Sequence, residues 1–156
     1  MAQNNYKLHA TQLKALQVFK LGIEVHDPHV ALSDNFELGE FSIENGHTEF
    51  NEETKSINVR MRVRAGRFAI DDDNLAEKND EFLGQALSLI VEVGGVFNID
   101  TEQFPAEHIH DWAEKNAPLV LYPYLREQVY GLSTRVGIKP VLLPLLEVPT
   151  MKFVKN

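Results

Sequence analysis

The sequence predicts an α+β fold: a four-stranded antiparallel sheet followed by a short helix and a long helix. Before residue 104 the apolar residues recur with the two-residue period of half-buried strands, and after it they recur with a helical period. A run of strands that precedes a run of helices is typical of an α+β layout. The 156 residues, 44% of them apolar, can build one core. We therefore predict a single domain over residues 1–156, with a flexible segment at 1–12.

The first two strands are predicted at residues 13–25 and 36–50. In the first, apolar side chains alternate with polar residues or glycine from Phe19 to Val25, and a proline three residues later ends the pattern. In the second, the apolar phase slips at Gly39, which predicts a bulge in one bent strand.

The third strand, predicted at residues 55–66, has the cleanest alternation. Its apolar face consists of Ile57, Val59, Met61 and Val63, and its polar face of Asn58, Arg60, Arg62 and Arg64. Residues 67–82 are too polar for the core, so we predict a long acidic hairpin loop there. A fourth strand is predicted at 84–93, and the pair Gly94-Gly95 after it predicts a bend or bulge.

The helical part consists of a short helix predicted at 105–115 and a main helix predicted at 118–136, which Gly137 ends. The main helix carries an apolar stripe that can pack on the sheet: Leu121, Leu125, Val129, Leu132 and Val136. Residues 138–149 are densely apolar but contain three prolines, which exclude a helix or a central strand. Whether this loop covers the edge of the core or lines an exposed groove stays open from the residues alone.

The composition excludes several classes of function. A net charge of −8 and a pI near 5.2 argue against nucleic acid or anionic membranes as partners, because phosphate binding depends on positive charge. The absence of cysteine excludes disulfides and thiol chemistry and fits a cytoplasmic location. Residues 1–12 lack the apolar run of a signal peptide, and no stretch of the sequence is apolar over the roughly 18 residues that span a bilayer.

Several clusters resemble ligand sites but have the wrong spacing. His108 and His110 would lie about 200° apart on a helix, so the two imidazoles cannot bind one metal ion. The acidic run that starts at Asp71 lacks the glycine and the glutamate of a calcium loop, and Gly94-Gly95 lacks the third glycine of a dinucleotide-binding motif. No arrangement of nucleophile and base is recognisable, so we predict no catalytic site, no metal and no cofactor.

Three arginines, Arg60, Arg62 and Arg64, share one strand face and form a basic stripe. One interpretation is a module that binds RNA or an acidic partner through this face. The other is that carboxylates on neighbouring strands neutralise the stripe. The candidate carboxylates are Glu40, Glu44 and Glu92. On a chain with a net charge of −8, we favour the cross-strand ion pairs.

The main helix has more apolar surface than one stripe requires. Tyr122, Tyr124 and Tyr130 lie beside the stripe, together with Leu119 and Val120. Apolar surface on a second side of a helix predicts a second contact, and we assign the three tyrosines to an oligomer interface.

Two segments of the chain resemble the SecB-family export chaperones. One is YPYLRE at 122–127, followed by Arg135, Gly137 and two prolines, and it is similar to the helix-and-loop region of the family. The other is GGVFNI at 94–99, which is similar to the end of the family's fourth strand. The resemblance extends as a hydrophobic pattern from about residue 14 to residue 149.

The resemblance implies a homotetramer, assembled as a dimer of dimers, in which each four-stranded sheet has helices on one face. It also implies a holdase that binds unfolded polypeptide in apolar grooves without ATP. By position, it places the client-binding groove at ten residues: Phe41, Ile43, Val96, Phe97, Leu125, Val129, Leu132, Ile138, Leu142 and Leu143.

Two features depart from export SecB. The family continues past the proline-rich loop into a further helix and an acidic tail that engages SecA, whereas this sequence stops at Asn156, which argues against a contact with SecA. The acidic segment 67–82 is also longer than the family's hairpin. Both features resemble the SecB-like chaperones encoded beside toxin–antitoxin pairs, so we expect an antitoxin as client. A general chaperone for preprotein export is the alternative.

Overall fold

The computed structural model describes residues 5–70 and 85–147. Four strands form one antiparallel sheet: β1 (Thr11–Val25), β2 (Phe41–His47), β3 (Ser56–Ala65) and β4 (Leu87–Ile99). Their order is β1-β4-β3-β2, so β1 and β2 lie at its edges. The α-helices within the described residues are α1 (Pro28–Ala31), α2 (Ile109–Lys115) and α3 (Ala117–Arg135). The predicted α+β fold with a four-stranded antiparallel sheet is confirmed.

The core lies between one face of the sheet and α3. Alternate side chains of β3 and β4 on this face are buried, and the helix stripe at Leu121, Leu125 and Val129 packs against them with no exposed surface. At one end Trp112 of α2 meets Phe97 edge to face, with ring centroids 5.1 Å apart. Of the helices in the described ranges, none is long and apolar enough to cross a membrane.

The glycine pair does not bulge β4, so the bulge predicted there was wrong. β4 pairs with β3 in unbroken register through Gly94 and Gly95, and the extra residues at the register shifts, Lys14 and Phe19, belong to β1. The glycines instead allow side chains of other elements to approach the main chain of β4 closely on both faces of the sheet. A Cβ on Gly94 would overlap the Phe19 ring, and one on Gly95 would lie 2.9 Å from Leu121 of α3.

The predicted strand 36–50 is wrong in its first part. The strand covers only Phe41–His47, and Phe36 and Leu38 lie in an irregular connection, where they pack half-buried against a hydrophobic cluster. Apolar residues two apart therefore reflect burial here and not pairing with a neighbouring strand. The short helix α1, which no sequence pattern predicted, precedes the connection and has Asp27 as its N-cap.

Other boundaries also differ from the sequence-based predictions: β4 continues beyond residue 93 to Ile99, and the α-helix predicted from residue 105 begins at Ile109. β1 begins at Thr11, inside the segment 1–12 expected to be flexible. The acidic loop predicted at 67–82 lies mostly outside the described residues, and its first residues belong to a 3-10 turn, Gly66–Ala69. The apolar loop, in contrast, is as predicted: it is irregular from residue 138 to residue 147, the last described residue.

Candidate functional site

An apolar groove lies between the connecting segment before β2 (residues 36–40) and the proline loop after α3 (residues 138–147). Its apolar lining includes Phe36, Leu38, Phe41, Val141, Leu142 and Leu143. This loop groove encloses about 330 Å³, and a second depression of about 260 Å³ adjoins it along the connecting segment. A cavity of this volume that is open to solvent and has an apolar lining is a candidate binding site.

The proline loop runs back along α3, which holds it by side-chain hydrogen bonds. Three such side-chain bonds join them: from the Val141 N–H to Ser133 Oγ (2.8 Å), from Arg126 Nε to the Leu143 carbonyl (2.9 Å), and from the Tyr122 hydroxyl to the Pro144 carbonyl. Burial raises the pKa of Tyr122 above its ordinary value, so its hydroxyl keeps the proton that it donates.

Three of the ten residues predicted for the groove line the loop groove: Phe41, Leu142 and Leu143. Leu142 is 65% exposed, while Phe41 and Ile43 are half-buried on β2. Val96 lies on the opposite face of the sheet, in a depression of about 440 Å³ that Asn58 and Arg60 also line. The other six are at most 6% exposed and belong to the hydrophobic clusters of the protomer: Phe97, Leu125, Val129, Leu132, Ile138 and Leu143. Contact of these six with a client stays a prediction.

Three apolar residues of the groove lining are not among the ten predicted for the client-binding groove: Phe36, Leu38 and Val141. The sequence pattern places Phe36 and Leu38 in a strand, where their side chains would pack on a face of the sheet. In the proline loop no period separates Val141 from its neighbours. The available signal was compositional, since apolar residues in a segment without regular structure need a partner to cover them.

The three tyrosines predicted for an oligomer interface have unequal exposure. Tyr122 is 5% exposed, whereas Tyr124 and Tyr130 are 39% and 45% exposed on α3. The edge strand β1 adds partly exposed apolar side chains on the helix side of the sheet: Leu16, Val18 and Leu21. Apolar surface therefore remains open on both α3 and β1.

The basic stripe of β3 is paired with carboxylates of the neighbouring strands. Arg60 Nη1 lies 3.2 Å from a carboxylate oxygen of Glu92 on β4, and Arg62 and Arg64 both pair with Glu44 on β2. Cross-strand pairing is therefore as the sequence favoured, with Glu44 and Glu92 of the three candidate carboxylates as the partners. Because the arginines already have anionic partners, the pairing argues against a module that binds RNA through this face.

Glu44 provides a pH-dependent contribution to stability. The hydrogen bond from Arg62, with Arg64 beside it, holds the pKa of Glu44 below its ordinary value. A carboxyl whose pKa is depressed by folding stabilises the protein above its unfolded pKa and loses that contribution as the pH falls through the folded pKa. The contribution is under about 1 kcal/mol, because solvent screens a carboxylate that is 37% exposed.

We therefore expect Glu44→Gln to flatten the acid side of the stability profile. Urea unfolding between about pH 6 and about pH 3 should show a smaller loss of free energy in the variant than in the wild type. Glu40→Gln is the matched control, because Glu40 forms no ion pair with any residue in the described ranges. Identical pH slopes for Glu44→Gln and the wild type would contradict the assignment.

In the part of the chain that the structure describes, the other titratable clusters do not form a recognised site. Within residues 5–70 and 85–147, no group of three or more His, Cys, Asp or Glu could hold a metal ion. His26 Nε2 lies 2.6 Å from Ser88 Oγ and 4.0 Å from a carboxylate oxygen of Glu24. A catalytic triad places the hydroxyl and the carboxylate on different ring nitrogens, and here both approach the same one.

Comparisons of the sequence identify relatives among the SecB proteins. No family model matches the chain. Among curated proteins, the chain is similar to the protein-export protein SecB of Neisseria meningitidis, with 27% identity over 132 residues, or 84% of this chain and 80% of that protein. An uncharacterised protein of Methanocaldococcus jannaschii is 31% identical over 101 residues, or 65% of this chain and 56% of that protein.

Comparison of the structure gives a fold match. The chain is similar to the SecB-like chaperone of Mycobacterium tuberculosis, solved in complex with a ChAD peptide from the HigA1 antitoxin. The TM-score is 0.63 at 21% identity, over 90% of this chain and 94% of that one. The chain has a SecB-like fold. The resemblance to SecB proteins that the sequence indicated is thus confirmed.

Proposed function

We propose that the chain is a SecB-like chaperone, not an enzyme, that holds unfolded polypeptide in the loop groove without ATP. The observation that carries the proposal is the groove itself, which has apolar side chains on both walls. Phe36 and Leu38 line one wall, and Leu142, at 65% exposure, lines the other. The SecB-like fold and the similarity to SecB of Neisseria meningitidis support the proposal.

Apolar burial gives the weak and unspecific contacts that a holdase needs. A client segment that buries about 500 Å² of apolar surface gains roughly 12 kcal/mol at 25 cal/mol per Å², and much of this is offset by the ordering of the chain. Several weak segments bound to one assembly raise the effective concentration of the rest of the client. Folded proteins bury their apolar segments and are therefore not retained.

We propose further that the chaperone assembles as a homotetramer. The open apolar surface of α3 and β1 supports this, because such surface on a folded protomer marks an interface. Sedimentation equilibrium should give four times the 17.7 kDa of one chain, and Tyr124→Asp should shift the population to smaller species. Tyr6→Asp is the control, since Tyr6 is 90% exposed and lies before β1. A wild-type protein that is monomeric at all concentrations would contradict the assembly.

The proposed client is an antitoxin, and the cytoplasm is the proposed location. The structure of the Mycobacterium tuberculosis chaperone with an antitoxin peptide supports this choice of client. The similarity to protein-export SecB favours the alternative, a general chaperone for preproteins.

Holding of a denatured client tests the proposal. An antitoxin encoded beside the gene for this chain and a preprotein are each denatured in urea and diluted into buffer with the purified chain, with and without ATP. Light scattering should show that aggregation of the antitoxin is suppressed equally in both conditions. Suppression of the preprotein alone would favour the export alternative, and suppression of neither would end the holdase proposal.

A further inference from the structure

We propose that Tyr122, Arg126 and Ser133 are positioning residues that hold the proline loop as a preformed wall of the loop groove. The inference rests on the proposed function and identifies the residues of α3 that shape the client-binding site. Each of the three side chains bonds to the main chain of the loop and not to its side chains.

The three residues form one row on α3. At about 100° per residue, Arg126 lies about 40° and Ser133 about 20° around the helix from Tyr122, so the three side chains leave the same side. Tyr122 and Ser133 are 5% and 1% exposed, and the Arg126 guanidinium lies 5.9 Å from the centroid of the Tyr122 ring. The row meets the loop in reverse order: Tyr122 at Pro144, Arg126 at Leu143 and Ser133 at Val141.

The loop needs such a row because it lacks regular hydrogen bonding of its own. It contains neither helix nor strand between residues 138 and 147, and Pro140 and Pro144 have no N–H to donate. Ser133 connects the loop to the helix main chain, since Oγ accepts from the Val141 N–H and donates to the Tyr130 carbonyl at 2.7 Å. Bonds to the main chain fix the path of the loop, which its apolar side chains alone would not do.

The bonds also determine which side chain of the groove wall is exposed. Val141 is half-buried and Leu143 is 1% exposed, while Leu142 between them is 65% exposed. The held groups, the Val141 N–H and the Leu143 carbonyl, flank Leu142 and set its direction. A wall that is ordered before the client arrives loses less conformational entropy on binding, so its affinity is higher than that of a mobile loop.

Hydrogen exchange and client affinity test the inference together. Ser133→Ala should speed exchange of the Val141 amide about tenfold, which corresponds to about 1.4 kcal/mol, and should raise the Kd for a denatured client by a similar factor. Tyr122→Phe, which keeps the ring and removes the donor, should act in the same direction. Thr134→Ala is the matched control, because the Thr134 hydroxyl makes the same bond to a carbonyl three residues earlier, at Gly131, on the exposed side of the helix. Unchanged exchange at Val141 in Ser133→Ala would overturn the inference.

A double-mutant cycle separates positioning from a general loss of stability. If Ser133 acts through Leu142, then Ser133→Ala should have little further effect on Kd in a Leu142→Ala background. Additive effects of the two substitutions would overturn the positioning role. A wild-type chain that holds no client would contradict the proposed function alone, since amide exchange would still decide whether α3 holds the loop.

Discussion

Replacement of Leu142 with aspartate is expected to weaken client binding on the order of a hundredfold. Leu142 is 65% exposed in the wall of the loop groove, so a client can bury most of it. Burial of a leucine contributes about 1.5–3 kcal/mol, and a carboxylate in its place adds the free energy needed to remove a charge from water. The free energy of unfolding should change little, because the side chain lies mostly in water.

Leu8→Asp is the control for this substitution. Leu8 is 80% exposed and lines a separate depression near the start of β1, so the same change of chemistry occurs away from the groove. Fluorescence titration of a labelled, denatured client gives both Kd values. Equal weakening by the two variants, or none by Leu142→Asp, would contradict the assignment of the groove.

Gly66→Ala is expected to lower the free energy of unfolding by about 2–5 kcal/mol. Gly66 follows β3 with a φ of +64°, and a Cβ there would overlap Ser88 and lie 2.6 Å from the Leu87 carbonyl oxygen. The left-handed backbone costs an alanine about 1–2 kcal/mol, and overpacking typically adds about 1–3 kcal/mol. Urea unfolding at matched protein concentration measures the difference.

Gly137→Ala separates the two contributions. Gly137 ends α3 with a φ of +80°, yet a Cβ there would have no heavy atom within 4 Å. Only the conformational cost of about 1–2 kcal/mol should remain in this variant. A loss as large as that of Gly66→Ala would show that crowding at Ser88 and Leu87 has no part in the requirement for glycine.

The sequence was sufficient to predict those elements in which one buried face produces the period of the apolar residues. β3 alternates because one side packs on α3 and the other carries the paired arginines, and α3 shows its stripe because it covers the sheet. The period of the apolar residues therefore predicted both elements to within about two residues.

The connecting segment and the register of β1 could not be predicted in the same way. Phe36 and Leu38 are apolar because they pack beside the proline loop, a contact between segments about 100 residues apart that no local pattern contains. The register shifts at Lys14 and Phe19 depend on the unseen partner strand β4. Gly94 and Gly95 predicted a bend or bulge, because the sequence does not show that the Phe19 and Leu121 side chains approach these two glycines closely.

The prediction of the groove is limited in the same way, because the local sequence does not show which distant segment covers an apolar residue. Leu125 and Leu142 are both leucines in the region that resembles SecB, yet one is fully buried under the sheet and the other is open to solvent. An apolar residue looks the same in sequence whether another part of the protein covers it or not. The row of Tyr122, Arg126 and Ser133 was equally hidden, because its partners are main-chain atoms that any residue would supply.

Photo-crosslinking tests the location of the client most directly. A photoreactive amino acid is placed at position 142, in the loop groove, or at position 96, in the depression on the opposite face of the sheet. We predict that a denatured client becomes crosslinked from position 142 and that excess unlabelled client abolishes the product. Crosslinking from position 96 with none from position 142 would contradict the loop groove as the binding site.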